Sequence, residues 1–183
     1  MGKTNSAVKQ ITKILLSVII VGIFARFSYN LNIGDIQIPI TGQTFALFFI
    51  AWYLLPLETI IVAILYLSVG GLGLPVFEDG ASGWSHLDGV TAGYLWAYIP
   101  ASALVSHLSK RKKEHSIVRI FLILFIASLL VLLIGSIFLT LKIYDVGMLI
   151  DGWIPFLPGA MIKSAMSAVL IRLIYKVQLV KSE

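Results

Sequence analysis

Cysteine is absent from the 183 residues. That excludes disulfides, a thiolate metal site and a cysteine nucleophile. Charge is scarce. Only 13% of the residues are charged, against roughly 25% in an ordinary soluble domain. A soluble monomer of this length could not cover its surface with so few charges. The apolar content equally excludes a disordered chain. The three histidines, His86, His107 and His115, show no metal-ligand spacing. There is no Walker A lysine motif and no phosphate loop. Gly71-Leu72-Gly73 does not complete a dinucleotide fingerprint, because no βαβ unit surrounds it.

What fills the chain is apolar sequence. Hydrophobic residues make up 58%, and the mean hydropathy is +0.96. The net charge of +5 would fit a polyanionic partner in a soluble protein. In a membrane chain the position of Lys and Arg matters more than their sum, so nucleic acid is not the partner. Charged and turn residues cut the chain into uncharged or nearly uncharged blocks at 11–27, 36–57, 59–77, 89–109, 120–141 and 153–175. A spanning helix needs roughly 20 mostly apolar residues. The blocks therefore predict an all-α membrane protein with six transmembrane helices, a single integral membrane domain over residues 1–183. The first block follows Lys3, Lys9 and Lys13 like a signal peptide, but no small-x-small cleavage pattern comes directly after it. It reads as a retained helix.

Charge placement orients the six spans. Lys110, Arg111, Lys112 and Lys113 form the strongest basic run, which the positive-inside rule places in the cytoplasm. Both termini then lie inside too, with Lys3, Lys9, Lys13, Arg172, Lys176 and Lys181. With Arg119, eleven of the 14 basic residues are cytoplasmic. Asp35, Glu78, Asp79, Asp88, Asp145 and Asp151 fall outside. Five or seven spans would break this separation. The basic run is a topology signal before it is a lipid or nucleotide site.

The outer loops are unusual. Asp35-Ile36-Gln37-Ile38-Pro39-Ile40 alternates polar and apolar residues, which predicts an extended segment or short hairpin. The second loop, GGLGLPVFEDGASGWSHLDG from Gly70 to Gly89, is dense in glycine yet holds Leu72, Leu74, Val76, Phe77 and Trp84. Irregular chain at membrane depth is tolerated where it is buried or lines a cavity. This Gly-rich segment is expected to dip over the outer mouth of the bundle. Small residues recur every four positions at Gly89, Gly93, Ala97 and Ala101, and at Ala160, Ser164 and Ala168. That spacing lets helix backbones approach closely. Ser17, Gly22, Ala25 and Ser28 make a looser small face on the first helix, open to an external partner. Lys163 sits early in the last helix, after Pro155 and Pro158. An ionisable residue within a span is a functional candidate. Near a helix amino terminus it favours an anion such as a carboxylate. The competing reading has Lys163 snorkelling to headgroups or pairing with Asp151 or Asp88.

Four motifs in order carry a family resemblance. Ile38-Pro39-Ile40-Thr41-Gly42-Gln43-Thr44 is like PVPITLQT. Tyr66-Leu67-Ser68-Val69-Gly70-Gly71-Leu72-Gly73-Leu74-Pro75-Val76-Phe77 is like YLLLGAIGLPVF. Gly89 to Leu95 is like GPTGGY, and Pro155 to Lys163 is like PFLPGDxxK. The chain resembles the BioY family, the biotin-binding S components of energy-coupling factor (ECF) vitamin transporters. The resemblance implies a six-helix fold in a prokaryotic cell membrane and biotin or a related small carboxylate vitamin as ligand. It implies docking through the first helix to a transmembrane coupling protein with two ATPase subunits, and no cofactor. It implies ligand binding by Lys163 and Gln43, with Asp79, Ser82, Trp84, Asp88 and Tyr94 beside them, and no catalytic or metal-binding residue. Trp84, Tyr94, Trp96 and Trp153 would pack on the ligand or form an interfacial belt.

The sequence departs from the family where the ligand would sit. Ala160 stands for the aspartate of PGDxxK, Ala81-Ser82-Gly83 for a loop asparagine, Leu95-Trp96 for an arginine and Val90 for a proline. A lost buried acceptor costs about 1–3 kcal/mol if nothing replaces it. Glu78, Asp79, Asp88 and His86 are candidates to stand in. Two alternatives follow: a same-fold S component for another vitamin or biotin relative, and an intramembrane lipid-modifying enzyme. Within the apolar blocks stand Lys13, Arg26, Lys163 and Arg172, with Glu58 between two of them, a thin set for catalysis.

Overall fold

The computed structural model describes residues 2–33, 36–111 and 116–180. Most of these residues are helical. Helix α1 (Gly2–Ala25) leads into an antiparallel hairpin of β1 (Ser28–Ile33) and β2 (Ile36–Thr41), with Ser28 opposite Thr41 and Ile33 opposite Ile36. The hairpin is the extended pairing that the alternation predicted, although Asp35 itself lies outside the described residues. The Gly42 N–H donates to the Phe27 carbonyl at 2.8 Å and closes its foot.

Helix α2 (Gly42–Tyr53) follows directly, and α3 (Pro56–Gly71) follows after a two-residue break. Pro56 takes the first helical position, where a missing N–H leaves nothing unsatisfied. Glu58 turns back to accept the Leu55 N–H at 2.8 Å. The same carboxylate holds the Lys13 ammonium at 2.7 Å and the Gln10 amide at 3.3 Å, tying α1 to α3. A glycine-rich run and Pro75 end α3. A 3-10 turn (Glu78–Gly80) and α4 (Trp84–Asp88) structure the next loop. Helix α5 (Ala92–Trp96) passes through helical Ala97 into α6 (Tyr98–Lys110). Helix α7 (Ile117–Ile143) starts on Ser116, whose side chain accepts the Arg119 N–H, and ends on left-handed Tyr144. Helix α8 (Met148–Asp151) and a 3-10 turn (Ile154–Phe156) deliver the chain to α9 (Leu157–Val180).

Three stretches, Ser6–Ala25, Ile117–Ile143 and Met148–Gln178, are long and apolar enough to cross a membrane, and Pro56–Gly71 is a shorter apolar helix. The protein is a membrane protein by these helices. Two predicted blocks are not single helices. Block 36–57 divides into β2, α2 and the start of α3, because its first six residues pair with β1. Block 89–109 begins with Gly89, Val90 and Thr91 outside any helix and continues as α5 and α6.

Helix α2 packs against α1, α6 and α9, while α7 packs against α5, α6 and α9. Trp52, Tyr66, Phe77, Leu47, Leu67, Ile120 and Leu124 form the most deeply buried part of the core. The outside is apolar as well: Ile11, Leu15, Ile19 and Ile23 on α1, Leu122, Ile126 and Leu133 on α7, and Met166, Leu173 and Val177 on α9 are exposed. A surface of this kind suits lipid as the solvent. Among the described side chains of α1 the buried residues are Ile14, Ser17, Val21, Gly22 and Ala25, one helical stripe. The small face of α1 therefore turns inward, with Gly22 against Val76, and the face left for other molecules is built of large aliphatic side chains. The other small stripes behave as predicted from Gly93 and Ala160 onward: Ala97, Ala101, Ala160, Ser164 and Ala168 are all buried. Gly89 lies outside α5.

Candidate functional site

A cavity of about 380 Å³ opens between α2, the Gly-rich segment, α5–α6, α7 and the start of α9. It lies within the roughly 300–1,000 Å³ of small-molecule sites. Each wall follows from local structure. Helix α2 begins right after the hairpin, so its first turn presents Gln43 and Thr44. Of the apolar residues expected to fold the Gly-rich segment back over the bundle, Val76 and Phe77 pack on the core, while Leu72, Leu74 and Trp84 are exposed. Phe77 plugs the core edge-on to Tyr66, ring centroids 5.7 Å apart. That anchor places Glu78, Asp79 and His86 on the cavity. Tyr94 and Tyr98 stand one turn apart on α5 and α6 and line it together. Helix α7 adds Ser128, Val131 and Leu132, and α9 adds Ala160 and Lys163.

The polar groups fall into two kinds. Gln43 is held in an internal chain: the Tyr98 hydroxyl donates to Gln43 Oε1 at 2.9 Å, Gln43 Nε2 donates to the Tyr66 hydroxyl at 2.8 Å, and that hydroxyl donates to the Val76 carbonyl at 2.7 Å. Such a chain fixes the Gln43 amide in one orientation. The other groups are open. Thr44 Oγ1 is buried and has no hydrogen-bond partner among the described residues. Among those residues Lys163 makes neither an ion pair nor a hydrogen bond. It lies in the second turn of α9, which begins at Leu157, and lines the same cavity as Glu78. Burial raises the Glu78 carboxyl above its ordinary value, Asp79 adds to the rise and Lys163 opposes it.

Of the residues predicted for the site, Lys163, Gln43, Asp79 and Tyr94 line the cavity. Asp79 accepts a hydrogen bond from Ser28 and sits in the left-handed region at φ 54. The Tyr94 hydroxyl donates to the Gly152 carbonyl, and its ring tilts on Phe156 at 5.9 Å. Ser82, Trp84 and Asp88 lie off the lining. Gly83, at φ 97, turns the chain outward before α4, which leaves Trp84 64% exposed. Asp88 faces outward and pairs with Lys142 at 2.9 Å. Lys163 thus pairs with neither Asp88 nor Asp151. Trp96 donates to the Leu87 carbonyl at 2.8 Å and, like Trp153, stays off the lining. Thr44, Tyr98 and Ser128 escaped the sequence reading. Tyr98 had a legible signal, four residues after Tyr94 on one helical face; Ser128 had none inside the apolar run of α7.

A cavity of this make-up can hold a small molecule with an anionic group at one end and polar groups at the other. No group of three or more His, Cys, Asp or Glu among the described residues could hold a metal. Comparison with known proteins gives a consistent result. "Biotin transporter BioY2" of Lactococcus lactis subsp. cremoris is 31% identical over 135 residues, covering 74% of this chain and 71% of that protein. "Probable biotin transporter BioY" of Pyrococcus horikoshii is 26% identical over 162 residues, covering 88% and 93%. The fold matches the crystal structure at 2.1 Å of the S-component for biotin from an ECF-type ABC transporter, with a TM-score of 0.78 and 23% identity over 94% of this chain and 93% of that one. The model of the BioY family matches residues 1–179, and the chain belongs to the BioY family.

Proposed function

We propose that this chain is the biotin-binding membrane subunit, the S component, of an ECF vitamin transporter in a prokaryotic cell membrane. One observation carries the reading: a cavity of small-molecule size is lined by Lys163, which has no ion pair or hydrogen bond among the described residues, and by polar groups from the outer loop. Biotin has a carboxylate for Lys163 and a ureido ring for the far wall. Gln43, Asp79 and Tyr94 complete the site, and Ser82, Trp84 and Asp88 belong to the loop that closes over it. The chain is one membrane domain of six spans with both termini cytoplasmic. It performs no reaction. A transmembrane coupling protein docks on the apolar face of α1, and two ATPase subunits supply the energy. The alternative ligand, a biotin relative, is favoured by one feature, the methyl of Ala160 on the lining where the family carries a carboxylate. Uptake decides between them: cells unable to make or import biotin should accumulate labelled biotin when they express this chain with coupling subunits. Uptake of another vitamin instead would move the assignment to the relative.

The lack of cysteine makes the topology directly testable. A single cysteine at Ser82 or Tyr144 should react with a membrane-impermeant maleimide in intact cells, and one at Arg111 should react only after lysis. Labelling of Arg111→Cys from outside would overturn the six-span orientation.

A further inference from the structure

The following inference rests on the cavity being a biotin site and deepens that reading. We propose that Glu78 is the specificity-determining residue of this chain, the acceptor that selects ligands by their N–H groups. Three carboxylates stand around the outer segment, and two of them are engaged. Asp79 accepts from Ser28, and Asp88 is paired with Lys142 outside the cavity. The Glu78 side chain has neither an ion pair nor a hydrogen bond among the described residues, and it lines the cavity. Its position is fixed by its own turn. The Phe77 N–H donates to the Ala81 carbonyl at 3.0 Å, the Ala81 N–H donates to the Glu78 carbonyl at 3.0 Å, and the preceding Phe77 ring is only 1% exposed.

Glu78 and Lys163 enter from different walls, the loop and α9. They sense each other's charge, yet they do not close to a salt bridge. A gap between opposite charges fits a ligand that completes both. Its anion meets Lys163 and its N–H donors meet Glu78. Helix α9 offers nothing polar to such donors one turn before Lys163, because Ala160 stands there. Gln43 is committed on both of its polar atoms to Tyr98 and Tyr66. Beside the open hydroxyl of Thr44, Glu78 is therefore the open carboxylate on the cavity among the described residues. A ligand with a carboxylate but no donors would leave the Glu78 carboxylate desolvated and unpaired, which is a penalty on the wrong ligand.

The test compares two probes on the purified full chain. Biotin carries ureido N–H groups. Lipoate carries the same five-carbon carboxylate arm on a ring without N–H donors. Glu78→Ala should weaken biotin binding roughly 10- to 100-fold and leave lipoate binding unchanged or tighter. Glu78→Gln should fall between, because its amide oxygen still accepts. Equal losses for both probes, or an unchanged biotin affinity in Glu78→Ala, would overturn the role of Glu78 while the biotin site stands. Absence of biotin binding in the unsubstituted chain would overturn the biotin reading itself, and the Glu78 role with it. An unchanged melting temperature in both variants guards against misfolding.

Discussion

Lys163→Ala should lower biotin affinity by roughly two orders of magnitude, the scale of a charge-assisted hydrogen bond worth up to about 3 kcal/mol. The reason is the state of the cation before any ligand arrives. Lys163 sits in a helix long and apolar enough to cross a membrane, lines the cavity and has no ion pair or hydrogen bond among the described residues. No other lysine or arginine among the described residues lines the cavity. The ligand carboxylate would then be left in the cavity without a lysine or arginine counter-charge, in the company of Glu78 and Asp79. The effect on the empty protein should have the opposite sign. Removing an unpaired cation from a membrane helix takes away a cost, so the melting temperature of empty Lys163→Ala should hold or rise. Affinity lost at constant or higher stability marks a binding residue. Affinity and stability lost together would mark a structural one.

Gly135→Ala is the second large effect. Here α7 meets α5 so closely that a Cβ at residue 135 would stand 2.1 Å from the Tyr94 ring. The ring cannot retreat. Phe156 lies on one side, and the Tyr94 hydroxyl is tied to the Gly152 carbonyl. Overpacking of this kind costs about 1–3 kcal/mol, and each kcal/mol lowers the melting temperature by roughly 2–4 °C in a domain of this size. Because Tyr94 lines the cavity, biotin affinity should fall too. Tyr94→Ala in the same chain removes the obstructing ring. The double variant should then be more stable than the sum of the two single losses, as expected for contacting residues. An additive result would mean that the two helices are not packed through this ring.

The site was legible where a residue's surroundings are set by regular structure. Lys163 was readable because it stands near the start of an apolar helix, just after Pro155 and Pro158 and away from the basic residues Arg172 and Lys176 at the other end. Gln43 follows directly from where α2 starts. The hairpin followed from strict alternation. The misplacements cluster in the Gly-rich segment, where backbone conformation decides direction. Gly73, Gly80 and Gly83 all take positive φ, which no hydropathy pattern encodes. Glu78 and Asp79 therefore turn toward the cavity while Ser82 and Trp84 do not. Asp88 was drawn off by Lys142, a partner 54 residues away in sequence. The inward turn of the small face of α1 was equally hidden. Its neighbour Val76 belongs to the loop, and only the folded chain brings the two together.

The most direct measurement is a calorimetric titration of biotin into the purified chain in detergent, run beside Lys163→Ala. The account predicts one biotin bound per chain with high affinity, and a binding curve lost or shifted by roughly two decades in the variant. No biotin binding by the unsubstituted chain, or equal affinities for the two proteins, would contradict it.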